Sequence, residues 1–126
     1  MAERRFSFDG RVRSVRHAVR GIAVMLRTQH NAWVHALATV LVVAAGLLLR
    51  IDRADWPWII VAVVGVWTAE ALNTALELLA DVASPQFHPL VMQAKDVAAG
   101  AVLIAAMGAA LIGALVLGPA MIRTLC

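Results

Sequence analysis

Hydrophobic residues gather into three long runs, Ala32–Leu49, Trp56–Leu79 and Val97–Ile122, and none shows the alternation of period two that half-buried strands require. Each run is close to the ~20 residues that carry a helix across a ~30 Å hydrocarbon core. The pattern predicts an all-α membrane protein with three transmembrane helices, over 32–49, 56–80 and 95–119. A barrel is excluded, because strands in lipid would need a closed set of alternating partners. Ahead of the first run, Phe8, Val12, Val15, Val19, Ile22 and Leu26 recur at steps of four and three. Arg11, Arg13, Arg16, His17, Arg20 and Arg27 occupy the other faces. Residues 7–28 therefore read as an amphipathic helix lying on the membrane surface.

Composition supports that picture and charge orients it. Of 126 residues, 62% are hydrophobic and only 15% charged, well beyond the balance of a soluble domain. Three helices leave little room in one protomer for a substrate cavity and a reactive centre together, so a homo-oligomer is expected. Seven arginines precede the first span (Arg4, Arg5, Arg11, Arg13, Arg16, Arg20 and Arg27), against Glu3 and Asp9. The excess of positive charge places this end in the cytoplasm, and three crossings place the C-terminus outside. Between the first two spans, Arg50 and Arg53 are balanced by Asp52 and Asp55, as suits a short external loop. Trp33, Trp56 and Trp58 stand where interfacial aromatic belts are expected. Arginine runs also bind nucleic acid, but an apolar stripe leading straight into a span favours the bilayer, and no nucleic-acid partner is expected. A cleavable signal peptide is not expected either, since the first apolar run starts beyond residue 30. The single cysteine, Cys126, can form no intrachain disulfide and suggests no redox site.

The end of the second run carries the candidate chemistry. In AEALNTALELLAD, Glu70, Asn73, Thr74, Glu77 and Asp81 fall within about 100° of one another on a helix turning 100° per residue. Counted from Pro57, Glu70 lies ~20 Å and Glu77 ~30 Å down the helix, so the stripe starts within the inner half of the bilayer and ends at the cytoplasmic boundary. An intramembrane acid is costly and normally faces a partner, a bundle interior or a wet site. The loop VASPQFHPLVMQ follows, its Pro85 and Pro89 ending the helix and tightening the turn. Next comes AKDVAAGAVL, with Lys95 and Asp96 expected at the start of the third span, where free backbone N–H groups favour phosphate.

Acids able to hold a divalent cation, a lysine and a helix N-terminus supply what phosphoryl transfer needs, charge neutralisation and positioning. A stripe crossing the boundary can serve both soluble ATP and the hydroxyl of a membrane lipid. Glu70, the deepest acid, is the candidate general base, Glu77 the candidate magnesium ligand and Asn73 the residue that orients the groups between them. No Walker or protein-kinase signature is present.

These residues resemble the prokaryotic integral-membrane diacylglycerol kinase and undecaprenol kinase family. EALNTALELLAD, SPQFHPL and AKDVAAGAVLIAA are similar to its central signature, and the likeness extends back through SVRHAVRGIAVMLRTQHNAWVH to cover roughly residues 12–110. Ser14, Ala18, Gly21, Asn31 and His35 fall where similar residues recur. The resemblance implies a homotrimer in the bacterial cytoplasmic (inner) membrane, active sites shared between protomers, and MgATP as donor. It implies Glu70 as base, Asn73 and Asp81 as polar groups of the active site, Glu77 as magnesium ligand, and Lys95 and Asp96 on the nucleotide with His88 beside it. One position departs from the family: Gln29 stands where a glutamate sharing the metal with Glu77 is expected. The amide still offers a carbonyl oxygen but lacks the charge, and a catalytically silent lipid-binding relative is the reading this substitution suggests.

A small oligomeric channel or proton-conducting protein is the alternative from another class. A conduction path calls for ionisable groups along the whole span, whereas the outer halves of all three runs lack them. The acceptor stays open between diacylglycerol and undecaprenol, because apolar pocket residues do not encode chain length.

Overall fold

The computed structural model describes residues 8–125. Met1–Ser7 and Cys126 lie outside the described residues, and with them Glu3, Arg4, Arg5, the first residue of the expected surface helix and the lone cysteine. The described chain is all helical: α1 (Phe8–Thr28), α2 (His30–Leu48), α3 (Trp56–Ala83) and α4 (Pro89–Leu125). Helices α2, α3 and α4 are each long and apolar enough to cross a membrane.

Only one residue separates α1 from α2. Gln29 takes an extended conformation (φ −105°, ψ 117°), while its N–H still closes the last turn of α1 on the Met25 carbonyl at 2.9 Å. The chain therefore turns sharply at a residue that keeps its side chain at the junction. Along α1, Phe8, Val12, Val15, Val19 and Ile22 are exposed and Leu26 is part-buried, so most of the apolar stripe read from the sequence finds no cover within the chain.

Helices α3 and α4 form the main packing pair, with α2 against α3 and the end of α1 touching both α2 and α3. Buried apolar residues are few and concentrate at the α2–α3 hairpin end, where Ile51, Ile59 and Ala120 pack with Trp56, Val116 and Leu117. Along the spans Leu37, Val40, Leu41, Val64, Leu72, Ile104, Leu111 and Leu115 stay exposed. In water that surface would drive aggregation; it suits a protein whose solvent is lipid.

The α2–α3 hairpin is closed by a Schellman arrangement. The Ile51 N–H reaches the Gly46 carbonyl at 3.1 Å and the Arg50 N–H reaches Leu47 at 3.2 Å. Ile51 then buries against Gly46, where an added Cβ would meet the Trp56 ring at 3.0 Å. Arg50 pays for the closure by adopting φ 50°, the left-handed region where a Cβ is disfavoured. Arg50→Gly is expected to stabilise the protein by about 1 kcal/mol, read as a higher melting temperature in detergent.

Helix ends differ from expectation at the α3–α4 turn. Pro89 does not end a helix but begins one, at the first-turn position where its missing N–H costs nothing. Lys95 and Asp96 consequently sit well inside α4, not at its start, and their N–H groups are engaged in the helix rather than free for an anion. At its other end α4 runs on through Pro119 to Leu125, as membrane helices tolerate. With 28 residues in α3 and 37 in α4, these helices are about 42 Å and 55 Å long and extend beyond a ~30 Å core.

Candidate active site

The polar stripe of α3 splits into three levels. Deepest is Glu70, at the middle of α3 and fully buried, at 0% exposure. Its Oε2 lies 3.6 Å from His35 Nε2 on α2, longer than a hydrogen bond, and neither carboxylate oxygen has a hydrogen-bond partner. Thr74, one turn on, is also buried and donates its hydroxyl to the Glu70 carbonyl at 2.9 Å. Thr74 is thus occupied with the backbone of its own helix.

The middle level is Glu77. Its Oε1 accepts from Asn73 Nδ2 at 3.2 Å and its Oε2 from Gln29 Nε2 at 3.1 Å, across 48 residues of chain. The bend between α1 and α2 delivers this second amide, since the extended Gln29 points its side chain at α3 instead of along a helix surface. Asn73 is buried, and its Oδ1 is left without a partner.

At the end of the stripe next to the α3–α4 turn, Lys95 Nζ donates to Asp81 Oδ1 at 3.0 Å. Both side chains are substantially exposed, at 38% and 68%. With Asp96, Ser84, Phe87 and His88 they line a cleft of about 330 Å³ beneath the α3–α4 turn. The turn is held by Ser84 Oγ donating to the Gln86 carbonyl at 2.9 Å. His88 caps α4: its Nδ1 accepts the Leu90 N–H at 3.2 Å, which leaves the other ring nitrogen for the cleft.

Of the residues singled out from sequence, Gln29, Asn73 and Glu77 meet in one hydrogen-bonded group. Asp81, His88, Lys95 and Asp96 share the cleft. Glu70 stands apart from both groups, about 10 Å along the helix from Glu77. His35 was legible only as a position of resemblance; the signal that marks it as a site residue is its place as a lone ionisable group inside the apolar part of α2.

The arrangement can be tested for a divalent cation. Among the described residues, no three His, Cys, Asp or Glu side chains come together as a ready cage. One carboxylate with two amides is nonetheless a fitting set for magnesium, which keeps several waters and takes other ligands from substrate phosphates. Gln29 now turns its N–H toward Glu77, so ligation would require the amide to rotate and present its oxygen.

Comparison with known proteins covers most of the chain. Residues 16–117 match the sequence model of the family described as prokaryotic diacylglycerol kinase. The chain is 39% identical over 103 residues to a protein named undecaprenol kinase in Bacillus subtilis (strain 168), covering 82% of this chain and 84% of that one. It is 37% identical over 107 residues to a protein named diacylglycerol kinase in Synechocystis sp. (strain ATCC 27184 / PCC 6803 / Kazusa). That second match covers 84% of this chain but only 61% of the relative.

Proposed function

Since this chain belongs to the prokaryotic diacylglycerol kinase family and is a lipid kinase, we propose that it transfers the γ-phosphate of ATP to the hydroxyl of undecaprenol or diacylglycerol at the cytoplasmic face of the membrane. The observation that carries this reading is the order of groups along α3: a buried acid, then an amide-bound acid, then an acid paired to the lysine of an open cleft. A lipid alcohol arrives from the bilayer and a nucleotide from the cytoplasm, and the stripe joins the two compartments.

In this mechanism Glu70 takes the proton as the lipid oxygen attacks the γ-phosphorus and the bond to the ADP oxygen breaks. Asn73, held on Glu77, keeps its unpartnered Oδ1 buried between the two acids and orients the groups there. Lys95 sets a positive charge beside the phosphates, and Asp81 restrains where that charge can go. Asp96 and His88 complete the nucleotide cleft. Glu77 and Gln29 would hold magnesium, which when bound neutralises phosphate charge. The working unit is a homotrimer with its N-terminus in the cytoplasm, its C-terminus outside and α1 on the bilayer surface. The uncovered apolar side chains of α1 and of the spans support a lipid setting for it.

Gln29 sets the metal affinity in this account. Gln29→Glu would restore a second negative charge at Glu77 and is expected to lower the magnesium concentration for half-maximal activity by about threefold to tenfold. An unchanged magnesium titration would remove residue 29 from the metal site. The acceptor is tested by presenting undecaprenol, diacylglycerol and a fatty alcohol in mixed micelles with labelled MgATP. Labelled undecaprenyl phosphate or phosphatidic acid is expected; label found only on the fatty alcohol, or on none, would refute the proposed acceptors.

A further inference from the structure

Glu70 presents a physical problem that the stripe itself does not solve. A carboxylate shut away from water and without a donor is strongly disfavoured, and a base that can rotate freely is poorly aimed. The elements packed around it offer few polar groups. The buried residues of α4, Val102 and Ala120, and the buried residue of α1, Met25, are all apolar. On α3 itself Thr74 is turned to the backbone and Glu77 is two turns away with both oxygens engaged. Asn73, one turn on, gives its Nδ2 to Glu77, and its free Oδ1 can only accept, so the group left to meet the carboxylate is His35, on α2.

His35 is as incomplete as Glu70. Its Nε2 is buried and without a partner, 3.6 Å from the carboxylate, so a shift of a few tenths of an ångström would close a hydrogen bond. Its backbone is fixed, since the Thr39 hydroxyl donates to the His35 carbonyl at 2.7 Å and itself accepts from Trp67 Nε1 of α3 at 3.0 Å. That bridge ties α2 to α3 one turn from the histidine and sets its distance from Glu70. His35 also lines the inner end of an apolar groove of about 230 Å³, with Thr39, Val42, Ile59, Val66 and Gly113 further along. It therefore stands between the groove and the buried acid.

We propose that His35 is a positioning residue for the kinase reaction, its Nε2–H holding the Glu70 carboxylate in the orientation from which it receives the lipid hydroxyl proton. This rests on the assignment of Glu70 as the base. The histidine keeps its own proton throughout: the lipid O–H bond breaks, the proton passes to a Glu70 oxygen, and the new O–P bond forms as ADP leaves. Because Lys95 and the nucleotide cleft lie at the far end of the stripe, the histidine should act on turnover and not on nucleotide binding.

The test compares His35→Phe, which keeps an aromatic ring but has no donor, with His35→Gln, which restores a donor on a flexible chain. Steady-state kinetics would be measured in micelles alongside oligomeric state and melting temperature. His35→Phe is expected to lower kcat by about 10- to 100-fold with KM for MgATP within about twofold, and His35→Gln to recover most of the loss. Equal losses in both variants, a loss confined to KM for MgATP, or a drop that follows melting temperature would each overturn the proposal. Glu70→Gln in the same series separates the two assignments. If that variant is inactive while His35→Phe turns over normally, the positioning role fails alone; if Glu70→Gln stays active, the base assignment fails with it.

Discussion

Glu70→Gln is expected to reduce phosphorylation of the lipid by about 10³-fold, within the 10²- to 10⁴-fold range of a positioned general base and equal to ~4 kcal/mol of barrier. The substitution keeps the volume of the side chain at a position with 0% exposure, so the packing of α3 against α2 and α4 should survive. An amide cannot take up the proton of a lipid hydroxyl. The variant should remain folded and oligomeric, bind MgATP with unchanged affinity and lose its turnover. Substantial remaining turnover would place the base elsewhere.

The second large effect is expected at Lys95. Its ion pair with Asp81 is exposed, and pairs of that kind contribute little to stability because water screens them and side-chain entropy opposes them. Lys95→Met should therefore leave the melting temperature nearly unchanged. Activity should fall about 100-fold with a raised KM for MgATP if the removed charge is the one that meets the phosphates, as proposed. Asp81→Asn makes the informative comparison. It leaves the lysine in place but frees it, and should cost markedly less than removing the cation. If the two variants lose activity together with stability, the pair is structural and the cleft is not the nucleotide site.

Much of this was legible in the sequence because a membrane simplifies the reading. Continuous apolar runs over Ala32–Leu49, Trp56–Leu79 and Val97–Ile122 announce helices by length alone, and helical spacing put Glu70, Asn73, Glu77 and Asp81 on one face. What sequence could not give was contact across helices. The approach of Gln29 to Glu77 depends on a one-residue bend between α1 and α2, which no periodicity encodes. His35 gained meaning only when α2 was laid against α3.

Helix boundaries were misjudged for a local reason. Proline reads as a terminator from sequence, yet Pro89 opens α4 beneath a His88 cap, and Lys95 is carried nearly two turns into the helix. The lysine must then work as a charge on a side chain reaching Asp81, not as part of a helix N-terminus. In the proposed mechanism the phosphate-facing chemistry therefore belongs to side chains and not to the backbone, which makes the lysine substitution the sharper test.

The central claim is that the α3 acids and Lys95 form one site that moves phosphate from a soluble donor to a lipid. Purified protein in micelles, given γ-labelled MgATP and a lipid alcohol in a single turnover, tests it most directly. Label is predicted to appear on the lipid in the wild type and to be absent with Glu70→Gln, with the oligomer intact in both. Labelled lipid formed equally by both proteins, or label released only as inorganic phosphate, would contradict it.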